Sequence, residues 1–273
     1  MSKYKLSNII LVVVLSVISI ISILPFYIMI VMGTYYSEDL FTKIALLPQN
    51  YVLNNFKSIL ETNFFQFYWN SFYIAVLVTV LSVFVSALTG FAFAKYEFRG
   101  RKFLYNFVLA TMMIPGQLGL VAFVVEMKNF HWTNTHLPLI IPAAASAFGV
   151  FWMTQYIKGS VPTEVIESAR IDGCNEPLLF FRIVIPFIKP AIATLSMLMF
   201  LGSWNSYLLP MILLNKASLY TLPLGIIMLG SERRVDYAAR ILELSLGTVP
   251  LLIIFAFGSK SFIRGISAGA VKG

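Results

Sequence analysis

A short polar run inside an otherwise apolar stretch is the first candidate for ligand chemistry. It contains Trp204, Asn205 and Tyr207, and Gln117 places an amide in another apolar stretch. Aromatic faces stack on the C–H groups of sugars, and amides and hydroxyls exchange hydrogen bonds with sugar hydroxyls. We therefore predict that these four residues line a pathway for a polar solute. The alternative is that they join neighbouring helices, as polar side chains in membranes do for about 0.6 kcal/mol each.

A longer polar stretch, residues 159–186, separates two apolar runs and has the pattern of two short helices joined at a glycine. The first helical turn is predicted to contain Pro162, Glu164 and Glu167. A proline is tolerated there because the N–H it lacks would have no partner within the helix, and the helix dipole favours acidic residues. Gly173 supplies the left-handed residue that stops the first helix. We call residues 159–186 the elbow.

The second helix of the elbow is predicted to start at Asn175, which can cap it, and to run through residues 178–184. Pro186 is expected to end it. Asp172 breaks a local rule, because the carbonyl end of a helix disfavours negative charge. Such violations are expected where function overrides stability.

Residues around this glycine turn resemble the EAA motif of ABC transporter permeases. The motif reads E-A-A-x-x-D-G with a later [IL]-P, and the chain has Glu167-Ser-Ala, then Asp172-Gly173, then Ile185-Pro186. Ser168 in place of the first alanine is the one departure. The resemblance implies the fold of a type I ABC importer permease, with a coupling helix that docks into a cleft on a cytoplasmic ATPase subunit.

The resemblance also implies roles for residues of the elbow in ATPase coupling. The residues concerned are Glu164, Glu167, Ser168, Ala169, Arg170, Asp172, Gly173 and Pro186. Positions 167–169 would form the contact face, and Gly173 would allow the turn. Arg170 and Asp172 would pair with the partner or within the elbow. The rival interpretation is an amphipathic loop that rests on lipid headgroups with its charges in water.

Two further stretches favour a carbohydrate permease. Residues 90–100, Gly-Phe-Ala-Phe-Ala-Lys-Tyr-Glu-Phe-Arg-Gly, look like a signature of the sugar branch of these permeases. Residues 267–273 resemble the glycine-rich tail of the maltose-type permease, which implies insertion toward the ATPase dimer; the alternative is a disordered end. A permease for a non-sugar or phosphorylated solute shares the elbow motif and stays open.

Composition places the chain in the integral-membrane class, since 59% of its 273 residues are hydrophobic and only 12% are charged. A helix needs about 20 apolar residues to cross the hydrocarbon core. Six runs meet that length: 9–32, 72–94, 103–125, 137–156, 191–214 and 242–262. The first run is longer than a signal-peptide core and lacks a cleavage site, so it is interpreted as a retained span.

The predicted fold is therefore all-α, with six transmembrane helices and the elbow on one side. Residues 1–66 form the first span and an external segment, 67–262 the permease domain, and 263–273 a tail. The side that holds both termini and the elbow carries 13 basic residues, against 7 on the other. The positive-inside rule then places both termini and the elbow in the cytoplasm, and the resemblance to ABC importer permeases implies the cytoplasmic membrane of a bacterial cell. The net charge of +8 is a topology signal and not one for nucleic acid.

The energy source is expected to lie in other subunits. The sequence has no G-x-x-x-x-G-K-[ST] loop for nucleotide phosphates, and His131, His136 and Cys174 have no pattern of a metal site. No acidic residue lies in the middle of a predicted span, which counts against an ion-coupled secondary carrier. A membrane-anchored sensor is disfavoured because no soluble domain is present.

The resemblance implies a non-enzymatic subunit with several partners. These are a second permease, two cytoplasmic ATPase subunits that bind ATP and magnesium, and an external solute-binding protein. The sequence does not name the sugar, nor does it decide whether this subunit touches it.

Overall fold

The computed structural model describes residues 2–42, 44–229 and 236–270, and every regular element within these ranges is a helix. The α-helices are, in order, α1 (Ser2–Met32), α2 (Val52–Leu60), α3 (Phe64–Lys95), α4 (Arg101–Met112), α5 (Leu120–Asn129), α6 (Leu137–Ile140), α7 (Ala147–Ser160), α8 (Thr163–Ile171), α9 (Glu176–Leu179), α10 (Ile185–Trp204), α11 (Leu208–Leu213), α12 (Leu222–Leu229) and α13 (Tyr237–Ala270).

Five helical segments of the described residues are long and apolar enough to cross a membrane. They are Ser7–Met32, Phe64–Lys95, Leu137–Ser160, Glu176–Trp204 and Tyr237–Ser259. A sixth crossing results if Arg101–Met112 and Gly116–Asn129, which meet at 89°, form one broken span. This arrangement matches the predicted all-α membrane fold with six spans.

The third predicted span, 103–125, is broken rather than merely kinked. Helix α4 ends at Met112, and Pro115 then takes an extended conformation before a 3₁₀ turn, Gly116–Gly119, leads into α5. A proline disfavours helical geometry at the residue before it and cannot donate an N–H. The break therefore sits where the sequence has Met-Met-Ile-Pro.

Pro186 does not end a helix, and the prediction that it would was wrong. A π-helical turn, Phe180–Val184, comes directly before it, and the Ile185 N–H donates to the Phe180 carbonyl. This register shift falls where the proline has no N–H to donate, so the chain continues helical across it. The elbow's second helix and the fifth span are one continuous segment, Glu176–Trp204.

Two further boundaries differ from the prediction. The fifth span was expected at 191–214, but its helix ends at Trp204 and α11 is a separate short helix. Helix α13 runs past the predicted tail boundary at 263 to Ala270, and the last three residues of the tail lie outside the described ranges.

The chain divides into two compact units by its contacts. The first comprises Met1–Phe65 and Gly225–Val249. Within it, the buried Asn55 amide donates to the carbonyls of Gly33 and Tyr35. Because α13 begins at Tyr237, Glu243 lies deeper inside a crossing helix than the prediction placed it. Its side chain is buried and accepts a hydrogen bond from Thr62 at 3.4 Å.

The second unit comprises Gln66–Leu224 and Pro250–Gly273, and one core joins the elbow to the spans on either side of it. Phe91 of α3, Met153 of α7 and Ile188 of α10 are members of this core. Helices α3 and α7 approach closely at Gly90, where an added Cβ would lie 2.6 Å from the Met153 Cβ. A glycine there permits backbone contact that any side chain would prevent.

Candidate functional site: the elbow and the membrane cavity

The first helix of the elbow, α8, begins one residue later than predicted. Pro162 is extended and precedes the helix, and Glu164 lies in its first turn while Glu167 does not. Lys95, at the end of α3, donates to the Thr163 hydroxyl at 3.1 Å. This contact fixes the start of α8 against the end of a membrane span.

The two faces of α8 have opposite environments. Ile166 and Ala169 point inward and belong to the same core as the flanking spans, with Ala169 only 8% exposed. Glu167 and Ser168 are exposed, and the Ser168 hydroxyl donates to the Glu164 carbonyl at 2.8 Å. Ala169 therefore belongs to the packed face, in contrast to its predicted place on the contact face.

The exposed face of α8 ends in an apolar side chain. Glu164, Glu167 and Ile171 follow one another at helical spacing on this face. Ile171 is 87% exposed, although the opposite face of the same helix buries an isoleucine. The outward face thus combines two carboxylates with the exposed side chain of Ile171.

The turn between the two elbow helices has the conformation predicted for it. Gly173 has φ +80°, and its N–H donates to the Arg170 carbonyl at 3.0 Å. The Cys174 N–H donates to the Ala169 carbonyl at 2.9 Å, which completes a Schellman-type stop. The Asn175 side chain accepts from the Leu178 N–H at 2.9 Å and caps the second helix.

A cluster of three side chains holds the turn in place. Arg170 Nε lies 3.0 Å from a carboxylate oxygen of Glu176, and the other oxygen accepts a hydrogen bond from the Tyr96 hydroxyl. The Arg170 guanidinium lies 5.2 Å from the centroid of the Tyr96 ring. The hydrogen bond to Glu176 raises the pKa of Arg170, and partial burial raises the pKa of Tyr96. Arg170 therefore pairs within the elbow.

Sequence reasoning missed two members of this cluster. Opposite charges at Arg170 and Glu176 flank the glycine turn and were visible as a candidate pair. Nothing in the sequence links Tyr96 to them, because four α-helices, α4 to α7, lie between it and α8 in the chain. Asp172 forms no ion pair with any residue that the structure describes.

A cavity of about 690 Å³ lies in the second unit, beside the break between α4 and α5. Its lining residues are Gly116, Gln117, Gly119, Leu120, Phe123, Pro138, Leu139, Pro142, Ala143, Ser206, Tyr207, Leu208 and Leu209. The structure thus brings together Gln117 and Tyr207, two of the four residues predicted for a solute pathway. Ser206, which belongs to the same polar run of the sequence, is a third polar lining residue.

The other two predicted pathway residues lie elsewhere. Trp204 is 3% exposed, with its ring stacked on Phe200 at 5.7 Å and edge-on to Tyr68 at 5.4 Å. Its faces are covered by the chain itself, so in this structure Trp204 offers no open face for sugar stacking. Asn205 is exposed at the end of α10 but does not line the cavity.

Comparison with known proteins gives consistent matches. The family described as binding-protein-dependent transport system inner membrane component matches residues 82–268. Arabinooligosaccharides transport system permease proteins AraQ are similar over most of the chain. The one from Halalkalibacterium halodurans is 34% identical over 83% of this chain and 81% of its own length. The one from Bacillus subtilis is 35% identical over 77% of this chain and 74% of its own length.

A third relative and a solved structure extend the comparison. The lactose transport system permease protein LacG of Rhizobium radiobacter is 32% identical over 75% of this chain and 74% of its own length. A chain of a bacterial ABC transporter that imports the acidic polysaccharide alginate has the same fold, with a TM-score of 0.82 at 21% identity. The match covers 96% of this chain and 98% of that one.

Proposed function

Because the chain belongs to the family of binding-protein-dependent transport system inner membrane components, we propose that it is a permease subunit of an ATP-driven importer. It forms half of a translocation pathway for a sugar or oligosaccharide that an external binding protein delivers. Support for a carbohydrate comes from the relatives named for arabinooligosaccharides and lactose. The chain itself performs no covalent chemistry.

The observation that carries the proposal is the two-faced helix α8. A loop that merely rested on headgroups would turn its apolar residues toward the membrane and leave its carboxylates in water. Here the elbow's own core buries Ile166, while Glu164, Glu167 and Ile171 remain uncovered on the opposite face. A surface of this kind fits a cleft on a partner ATPase subunit, with Glu167 and Ser168 at its centre.

Motion at this surface would reach the cavity along one continuous helix. The segment Glu176–Trp204 begins at the elbow turn and ends two residues before Ser206, which lines the cavity together with Tyr207. A hydrogen-bonded helix moves as a body, so a tilt imposed at α8 by ATPase closure would shift the cavity wall. Because the helix continues through Pro186, no loop interrupts the connection between the elbow turn and the cavity.

We further propose that both termini and the elbow face the cytoplasm. The excess of Lys and Arg on that side supports this orientation, which also puts α8 where ATPase subunits would meet it. The remaining partners would be a second permease, which completes the pathway, and a binding protein on the external side. ATP and magnesium would be held by the ATPase subunits.

Purification of the tagged chain from its native membrane, with identification of the proteins that accompany it, tests this proposal. We expect an ATPase and a second permease in the complex, and carbohydrate bound to the cognate binding protein. A chain that purifies without any ATPase would contradict the importer assignment. If the binding protein carries a phosphorylated or non-sugar solute, the importer assignment stands but the assignment of a carbohydrate substrate is contradicted.

A further inference from the structure

A second cavity, of about 470 Å³, lies where the end of α3, the start of α4 and the end of α7 meet. Its lining residues are Phe93, Glu97, Phe98, Gly100, Arg101, Lys102, Phe103, Tyr105 and Lys158. None of the residues assigned above to ATPase coupling or to the solute pathway lines it. The cavity is therefore a separate site that the transport proposal leaves without a role.

The charged residues of this cavity favour an anion. Three cations face one carboxylate, and that carboxylate, Glu97, is paired with Arg101. Lys102 and Lys158 form no ion pair with a residue that the structure describes. The Lys158 ammonium lies 5.2 Å from the centroid of the Tyr105 ring, which holds it over the cavity. The first turn of α4 adds no acidic residue.

The apolar residues beside these cations continue onto an exposed apolar face of α4. Phe93 packs against Phe98 and Tyr105 to form an aromatic wall. Helix α4 has no buried residue, and Phe103 and Phe107, one turn apart, are 73% and 60% exposed. A cationic cavity at the mouth of an apolar helix face matches an amphiphile with a phosphate at one end and acyl chains at the other.

We propose that this cavity binds the headgroup of an anionic phospholipid, with Lys102 and Lys158 on the phosphate and an acyl chain along Phe103 and Phe107 of α4. A free phosphate ion would use the lysines but gain nothing from the apolar face. The orientation proposed above would place this lipid in the cytoplasmic leaflet. Lipid binding itself depends neither on that orientation nor on transport.

The test uses the intact transporter complex in detergent with phosphatidylglycerol and phosphatidylcholine added as probes, and native mass spectrometry to count bound lipids. The wild type should retain phosphatidylglycerol in preference to phosphatidylcholine. The double variant K102Q/K158Q should lose that preference by about five-fold for each lysine removed. The conservative pair K102R/K158R should keep it.

A matched control removes the same charge elsewhere. Arg99 and Lys189 are exposed and do not line the cavity, so R99Q/K189Q should retain phosphatidylglycerol as the wild type does. Equal retention by K102Q/K158Q and the wild type would overturn the proposal. Displacement of the lipid by millimolar inorganic phosphate would assign the cavity to free phosphate instead. Because the experiment measures bound lipid, a negative result would contradict lipid binding but not the importer proposal. Absence of an ATPase from the purified complex would in turn contradict the importer proposal but not lipid binding.

Discussion

The elbow and the membrane cavity are built in opposite ways. The elbow takes its shape from neighbouring residues, with a positive-φ glycine at 173, a side-chain cap at 175 and an ion pair six residues apart. The cavity is assembled from a helix break, a short helix and the start of α11, which are far apart in the sequence. A site of the first kind can be altered at one residue with predictable local effect.

The elbow and the cavity also differ in the contacts that surround them. The elbow has polar contacts at both ends of α8 and a shared core beneath it, as the proposed coupling role requires. The cavity is lined mostly by apolar side chains with only a few polar groups, which is the usual composition of a small-molecule site. The predictions below test whether the elbow and the cavity differ in this way.

The largest effect is expected from Trp204→Ala, at the end of α10. The ring packs between Phe200 and Tyr68, so its removal leaves a void that should cost about 3 kcal/mol of stability. Thermal inactivation of the solubilised complex measures this, and Trp204→Phe serves as the control that keeps most of the packing. Normal stability with altered sugar preference would instead return Trp204 to the solute pathway.

A smaller effect is expected at the elbow turn, from Gly173→Val. The left-handed conformation costs a residue with a side chain about 1–2 kcal/mol, and more when it is β-branched. An added Cβ meets no atom within 4 Å, so the cost is conformational and not steric. Gly173→Asn should therefore be nearly neutral, because asparagine tolerates this region. Stimulated ATP hydrolysis should fall for valine only; equal loss for both would mean that the open space is filled by a partner.

The cavity itself should respond through substrate concentration rather than stability. Gln117→Ala removes an amide from the lining, and the uptake rate should reach half its maximum at about five- to ten-fold higher sugar, as the loss of one hydrogen bond predicts. Asn205→Ala deletes a similar amide outside the lining and is the matched control. A larger shift for Asn205→Ala than for Gln117→Ala would place the pathway on the other side of α10.

The smallest effect is expected from the exposed ion pair in the elbow. A double-mutant cycle on Arg170→Ala and Glu176→Ala should give a coupling energy of about 0.2–1 kcal/mol, because both side chains are partly in solvent. Thermal unfolding of the four complexes measures it. A coupling well above this range would mean that Tyr96 and the pair act as a cooperative unit, which Tyr96→Phe would then reveal.

The sequence predicted the parts of the molecule that local rules determine. Gly173, Asn175 and Glu164 hold the conformations and positions expected from capping and turn chemistry. The same local rules wrongly predicted that the helix ends at Pro186. A π turn directly before the proline accommodates a residue without an N–H, so the helix continues. A register shift of this kind depends on packing along the whole segment and has no signature at the proline.

Tertiary placement accounts for the remaining differences. Tyr96 and Trp204 are aromatic residues near the ends of spans. From the sequence alone, such residues are interpreted as membrane-interface anchors or as surfaces that contact a ligand. One joins an ion pair across the fold and the other is enclosed by two rings. Ala169 likewise turns inward because α8 lies on the core with that side. Which face of a short helix is covered is decided by its neighbours.

Hydrolysis of ATP by the reconstituted complex, with and without the loaded binding protein, tests the central claim that the outward face of α8 couples the ATPase to the permease. Glu167→Lys reverses a charge at the middle of that face and touches no described core contact. We expect normal membrane insertion with loss of stimulation in Glu167→Lys. Arg99→Glu, a charge reversal at another exposed residue outside the elbow, should keep the stimulation. Full stimulation in the Glu167→Lys complex would contradict the claim and leave α8 as a helix that only rests at the membrane surface.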